Sequence, residues 1–162
     1  YLCGIQARLH SARFPNKVMQ MVKGRTMLRR VWDAAKASYA DHVVVAWPER
    51  WPNIDENDLY SKFCLLIKEF NPMFIIRLTA DCPLLETKHI NEAVRCFELG
   101  LRRYPRTEYF NNRKDGYDVQ VFTPEYLYRH PHKEYVVDDT PNTGGLSVNT
   151  IEDLKKVRAI AK

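Results

Sequence analysis

A chain of 162 residues with 45% hydrophobic and 28% charged residues is composed like an ordinary folded protein, and it is long enough for one core, so a single domain over residues 1–162 is expected. The formal charge of +5 and pI of about 9.0 favour polyanionic ligands, while no apolar run approaches the ~20 residues of a membrane span. Cys3, Cys64, Cys82 and Cys96 are scattered with no Cys-x-x-Cys pair, which argues against a zinc site or disulfide framework and for a reducing, cytoplasmic setting. No signal peptide opens the chain, and the absence of Met at position 1 leads to the expectation of a native start slightly upstream.

Tyr1 to Ile5 reads as a first strand, too apolar for a sheet edge. A basic loop follows at once, carrying Arg8, Ser11, Arg13 and Lys17. Cations on a loop leaving a strand suit polyphosphate, because Arg forks and Lys point charges neutralise phosphate oxygens. The same loop also reads as a solvated basic segment, and it lacks the Gly-x-x-x-x-Gly-Lys of a P-loop. Gly24 punctuates, and Met27, Leu28, Val31, Trp32 and Ala35 recur at helical spacing. His42 to Trp47 is a continuous apolar run of the kind found in strands buried on both faces, closed by Pro48 and Pro52.

Asp55 to Phe70 places Leu59, Phe63, Leu66 and Phe70 on one helical face, with acidic residues expected in its first turn. Asn71-Pro72 stops that helix, and Met73 to Arg77 supplies a third strand. Thr87 reads as the N-cap of a helix with Ile90, Ala93, Val94 and Phe97 inward and Gly100 at its close. Tyr109-Phe110 and Val119 to Phe122 are short strands joined by an Asp115-Gly116 turn, and residues 123–146 read mostly as loop. Leu146 to Val148 is a last short strand, and Thr150 with Asp153 opens a final helix as a capping box.

Alternating strands and helices imply an α/β fold with a mostly parallel sheet between helical layers, a Rossmann-like three-layer sandwich. Ligands of such sheets bind beyond the carboxyl ends of the strands. That rule selects the basic loop, Asp81 after the third strand, and Asn149 after the last, and it predicts that they converge on a nucleotide. The basic residues are otherwise spread along the chain, with Arg102, Arg103 and Arg106 the densest group, so a nucleic-acid partner is not expected.

These motifs resemble the cytidylyltransferases that activate acidic sugars, the acylneuraminate and 3-deoxy-manno-octulosonate enzymes, and most of all their spore-coat polysaccharide branch. Ile5-Gln6-Ala7-Arg8 with Ser11, Arg13, Pro15 and Lys17 is similar to the family's opening Ile-x-Ala-Arg-x-x-Ser-x-Arg-x-Pro-x-Lys. Gly24, Met27-Leu28 and Val31 resemble the Gly-Lys-Pro-Met-Leu-x-x-Val that follows. Arg77-Leu78-Thr79-Ala80-Asp81-Cys82-Pro83-Leu84 is a near-complete match to the middle motif. Asn111 with Gly116 to Phe122, and Leu146 to Thr150 with Glu152-Asp153-Leu154, resemble the two later segments.

The resemblance implies the nucleotide-diphospho-sugar transferase type of fold and transfer of CMP from CTP to an acidic sugar, with release of pyrophosphate, for surface polysaccharide synthesis. It implies Mg²⁺ as cofactor on Asp81 and Asn149, and nucleotide contacts from Ala7, Arg8, Ser11, Arg13, Lys17, Arg77 and Thr79. Arg8, Lys17 and Asp81 would be the catalytic groups, Asn111 and Asp118 would touch the sugar, and a homodimer is possible. Bland readings stand beside these: Asp81 as a turn cap, Arg77 as a strand-end charge in a surface pair, Asp118 as a strand's polar face. Asn149 stands where the family has a second metal-binding Asp, and Gln120 where the spore-coat branch has Glu. The pattern is also shorter than the family's between Trp51 and Asp55 and from Thr123 to Leu146. An alternative is therefore a catalytically reduced nucleotide- or sugar-binding protein with the same fold.

Overall fold

The computed structural model describes residues 1–11, 13–112, 117–131 and 147–161. In chain order its elements are β1 (Leu2–Gln6), β2 (Met21–Val22), β3 (Arg25–Thr26), α1 (Met27–Lys36), β4 (His42–Ala46), α2 (Leu59–Phe70), β5 (Ile75–Thr79), α3 (Thr87–Arg103), β6 (Tyr109–Asn111), β7 (Val119–Phe122), α4 (Pro124–Arg129) and α5 (Ile151–Ile160). The main sheet has the order β4-β1-β5-β7-β6. β1 pairs in parallel with β4 and β5, whereas β7 pairs antiparallel with both β5 and β6. β1, buried along its whole length, therefore lies inside the sheet, as its apolar run from Leu2 to Ile5 requires.

Alternation along the strands divides the sheet into two apolar faces. Cys3, Ile5, Ile76, Leu78, Val119 and Val121 point to one face, under Val31 and Ala35 of α1 and Ile90, Val94 and Phe97 of α3. Leu2, Ile75 and Phe122 point to the other, under Phe63, Leu66 and Ile67 of α2 and Tyr126 and Leu127 of α4. This is the three-layer α/β/α arrangement expected. Gly4 serves the second face: a Cβ there would lie 2.6 and 2.8 Å from ring atoms of Phe63, so only glycine lets α2 approach β1 this closely. A third cluster joins Val22, Met27 and Val148 to Leu154 and Val157 of α5.

Several local expectations are corrected. The run His42–Ala46 is an edge strand of the described sheet, half-buried at Val43, Val44 and Val45, because helices cover its faces but nothing described pairs its outer rim. α2 starts at Leu59 with Asp58 as N-cap and no acid in its first turn; the acidic residues precede the helix. The cap of α3 is Glu86, in a reciprocal box with His89, while the Thr87 hydroxyl donates to the Ala34 carbonyl and ties α3 to α1. α3 also continues past Gly100 to Arg103, and the Gly100 carbonyl accepts the Tyr104 N–H that ends it.

The loop reading of 123–146 missed α4, which Thr123 caps and Pro124 opens. The rest of that segment from His132, with the Asp115-Gly116 turn, lies outside the described residues. Ser147 and Val148 are not strand; the Val148 N–H donates to the Asp81 carbonyl at 2.9 Å. Sequence reasoning also missed the β2–β3 hairpin, whose turn residues Lys23 (φ 48°) and Gly24 (φ 81°) both take the left-handed conformation of a tight two-residue turn. Two other expectations hold. Asn71, with φ 43°, ends α2 before Pro72, and the Thr150–Asp153 capping box opens α5.

Candidate active site

Lys17, Asp81 and Asn149 meet at the carboxyl ends of β1 and β5. The loop after β1 folds back on itself, with the Leu9 carbonyl accepting the N–H groups of Asn16 (2.8 Å) and Ser11 (3.2 Å). Asn16 turns through φ 53° into a single 3₁₀ turn, Lys17–Met19, whose Val18 is buried in the core. Lys17 is thereby turned inward and is only 9% exposed. Its ammonium donates to Asp81 Oδ2 at 2.6 Å and to Asn149 Oδ1 at 3.2 Å.

The partners of Lys17 are placed as firmly. The Ala80 N–H donates to the Gln6 carbonyl at 2.9 Å, which carries the β1–β5 pairing up to the residue before Asp81. Asn149 is set by the cap of α5: its N–H and that of Thr150 both donate to Asp153 Oδ2, at 3.0 and 2.9 Å. The bland reading of Asp81 as only a turn cap does not account for this three-segment contact.

A second device was not legible in the sequence. The segment ahead of α2 clips the basic loop from outside. The Glu56 carboxylate accepts the Leu9 N–H in a short hydrogen bond and the His10 N–H at 3.3 Å, and it meets His10 Nδ1 at 2.9 Å. Asn57 Oδ1 accepts from Arg8 Nη1 at 3.2 Å. The clip is itself held from below by Lys62, fully buried in α2, whose ammonium donates to the Glu56 carbonyl at 2.8 Å. Burial raises the Glu56 pKa, and the hydrogen bonds from Leu9 and His10 together outweigh it, leaving the carboxyl below its usual range. The only signal in the chain was a run of polar residues before an apolar stripe, which reads as a helix start.

The remaining predicted residues divide. Ala7 is buried, Ser11 is half-buried on the loop and Arg13 is exposed there. Thr79 Oγ1 lies 3.1 Å from Cys82 Sγ. Arg77 is not a surface charge: it is 3% exposed, and its Nη2 donates to Gln6 Oε1 at 2.5 Å. Burial draws its pKa down to about 10, against the pull of Tyr109, Asp118 and Asp81, so it stays protonated at neutral pH. Across the sheet Arg77 stands opposite Gln120, and Gln120 opposite Asn111, so these residues form a polar row away from the apolar ends of the strands. The Gln120 Oε1 is buried with no hydrogen-bond partner among the described residues. Asp118 precedes β7 and is near enough to bear on Arg77 and Cys82. The neighbouring Asn112 also ties the two strands together: its side chain donates to the Tyr117 carbonyl at 2.7 Å and accepts the Val119 N–H at 3.1 Å. A cavity of about 380 Å³, lined by Lys23, Arg25, Arg30, Pro83 and Leu85, opens beside the segment that follows Asp81.

Residues 2–47, which hold β1 and the basic loop, match the family model for cytidylyltransferase. Over 115 residues the chain is 32% identical to the 3-deoxy-manno-octulosonate cytidylyltransferase of Polynucleobacter necessarius subsp. necessarius, a match covering 59% of this chain. The chain is thus similar to cytidylyltransferases over its first strand and basic loop, and over part of a curated relative. The match extends over 44% of that relative, so the chain spans less than half of the curated protein it resembles. The fold is shared with solved structures at low identity. A cytidylyltransferase from Leptospira borgpetersenii serovar Hardjo-bovis superposes with a TM-score of 0.75 at 23% identity, covering 98% of this chain and 84% of that one. A CMP:2-keto-3-deoxy-manno-octonic acid synthetase complexed with CTP gives 0.68 at 15% identity, covering 98% and 96%.

The residues present fit a divalent cation of the Mg²⁺ type. Two hard oxygens, Asp81 Oδ2 and Asn149 Oδ1, already converge on one positive centre, the Lys17 ammonium. Among the described residues no cluster of three or more His, Cys, Asp or Glu offers a fuller protein cage. A site of one carboxylate and one amide is what Mg²⁺ accepts when phosphate oxygens and water complete its octahedron.

Proposed function

We propose that this protein is a Mg²⁺-dependent cytidylyltransferase that transfers CMP from CTP to an acidic sugar of the nonulosonic or octulosonic class, releasing pyrophosphate for surface-polysaccharide synthesis. The observation that carries this reading is the convergence of Lys17, Asp81 and Asn149 from three separate segments at the strand ends. A buried cation beside a carboxylate and an amide, under a loop carrying Arg8, Ser11 and Arg13, is the arrangement a nucleoside triphosphate requires. In the reaction the sugar's anomeric oxygen bonds to the α-phosphorus and the bond to the bridging oxygen breaks. Pyrophosphate leaves with that electron pair, and the hydroxyl proton passes to solvent.

Lys17, Arg8 and Arg13 neutralise the charge that gathers on the leaving group, and Ser11 donates to a phosphate oxygen. Mg²⁺, when bound by Asp81 and Asn149, supplies Lewis-acid charge to the phosphates. Arg77 and Thr79 frame the nucleoside, and Asn111 and Asp118 receive the sugar. The buried Gln120 Oε1, without a partner among the described residues, supports a hydroxyl-bearing ligand on that side, since an unpaired buried acceptor costs about 1–3 kcal/mol.

Calorimetric titration of CTP with and without Mg²⁺, against UTP and ATP, tests the nucleotide half; pyrophosphate release with acidic sugars tests the rest. The expected result is Mg²⁺-dependent, CTP-selective binding and turnover that Asp81→Ala abolishes. One observation favours a second reading, a nucleotide- or sugar-binding protein without turnover: Asn149 brings no charge to the metal site. Turnover gained only in Asn149→Asp supports that reading, and measurable wild-type turnover refutes it.

A further inference from the structure

The cation position between Asp81 and Asn149 is filled by the protein itself. Lys17 Nζ stands 2.6 Å from Asp81 Oδ2 and 3.2 Å from Asn149 Oδ1, with the lysine side chain 11% and the aspartate 21% exposed. A divalent ion bound to the same oxygens would lie about 2.0–2.1 Å from each. It would then share Asp81 Oδ2 with an ammonium, two positive centres within a few ångströms in a site shielded from water. The charge count is equally unfavourable. Asp81 contributes −1, Lys17 +1 and Asn149 nothing, so the trio is neutral. With an aspartate at position 149 it would carry −1 and attract a cation despite the lysine.

We propose that the Lys17 ammonium is the resident cation of this site, that it keeps free divalent metal out, and that metal enters only when a polyphosphate takes the ammonium over. This rests on the nucleotide reading above only for the last step. Lys17 then has two partners in sequence: Asp81 and Asn149 in the resting protein, and phosphate oxygens in the loaded one. The 3₁₀ turn at Lys17–Met19 allows this, since Val18 anchors the backbone while the side chain is free to swing on its four-carbon stem. Asn149 makes the exclusion complete, because its amide oxygen can accept from the ammonium but adds no charge to draw a metal in.

The test is binary Mn²⁺ binding, read by electron spin resonance of the free ion, in the wild type, Lys17→Met and Asn149→Asp, followed by the same titration with CTP present. The wild type is expected to bind Mn²⁺ alone only weakly, and either variant to bind on the order of tenfold or more tightly, through removal of the competing cation or addition of a ligand charge. CTP is expected to raise wild-type Mn²⁺ affinity by more than CTP's own affinity for the metal. Wild-type binding as tight as that of Lys17→Met overturns the proposal, and so does a failure of both variants to bind Mn²⁺. Should Lys17→Met fail to fold, Asn149→Asp alone decides, since its change is confined to a half-exposed side chain. CTP binding without any gain in Mn²⁺ affinity overturns the proposed handover. If CTP does not bind at all while the variants gain metal, the resident-cation role stands and the nucleotide reading falls.

Discussion

Glu56→Gln tests whether the clip, rather than the basic loop alone, shapes the proposed nucleotide site. The glutamine keeps the shape and one acceptor oxygen. It loses the charge and replaces the oxygen facing His10 Nδ1, 2.9 Å away, with an amide donor. Hydrogen bonds to a charged group contribute ~1.5–3 kcal/mol against ~0.5–1.5 kcal/mol for neutral ones, so the substitution costs about 1–2 kcal/mol of loop closure. That shifts the closed-to-open ratio by a factor of ~5–30. Apparent CTP affinity falls by no more than this, and by less where the wild-type loop is already mostly closed.

Amide hydrogen exchange at Leu9, His10 and Asn16 reads closure directly, and calorimetry reads its effect on CTP. The pH dependence has a definite sign. The folded pKa of Glu56 lies below its unfolded value of about 4.3. The clip's contribution is therefore complete above the unfolded value and is lost as pH falls through the folded one, and Glu56→Gln removes this dependence. Unchanged exchange at Leu9 and His10 in the variant would refute the clip.

Three further outcomes follow from the packing. Gly4→Ala puts a Cβ 2.6 Å from the Phe63 ring and is expected to cost ~1–3 kcal/mol in urea unfolding, with most of the loss recovered in Gly4→Ala/Phe63→Leu; an unchanged midpoint for the single variant contradicts the close approach of α2 to β1. Asp153→Ala strips the cap from Asn149 and Thr150, and a loss of ~1–2 kcal/mol together with weakened CTP binding is expected, the second effect arising without any contact to the ligand. Among the thiols, exposed Cys96 is expected to react first with an alkylating reagent at pH 8, while Cys82, pushed up to about 12 by burial and by Asp81 and Asp118, stays unlabelled until the protein is unfolded. Early labelling of Cys82, read by peptide mass, would show that the Asp81 segment opens in the native state.

The chain announced the layers and the loop of its site because both depend on local pattern. Apolar runs at β1 and β5, the stripes of α1 to α3 and the cations between Arg8 and Lys17 are one-dimensional signals. The ordering rule for α/β sheets then brings Lys17 and Asp81 together without any knowledge of distances. What was missed depends on partners remote in sequence. Glu56 reaches Leu9 and His10 across 47 and 46 positions, and Lys62 is buried because a backbone carbonyl waits for it inside the protein. Thr87 looks like a cap by type, yet Glu86 with His89 wins the position because the Thr87 hydroxyl is committed to α1.

The sequence by itself determined the element types, the two apolar faces of the sheet and the motifs that resemble cytidylyltransferases. Hydrophobic period and motif spacing are carried by the order of residues and need no third dimension. Only the tertiary structure decided which residues hold which. It set Lys17 between Asp81 and Asn149, buried Arg77 against Gln6, made β4 an edge strand and placed Glu56 on the basic loop. These are choices among competing partners, settled by burial and by the requirement that each buried polar group find a counterpart, and neither is written in any local stretch of the chain.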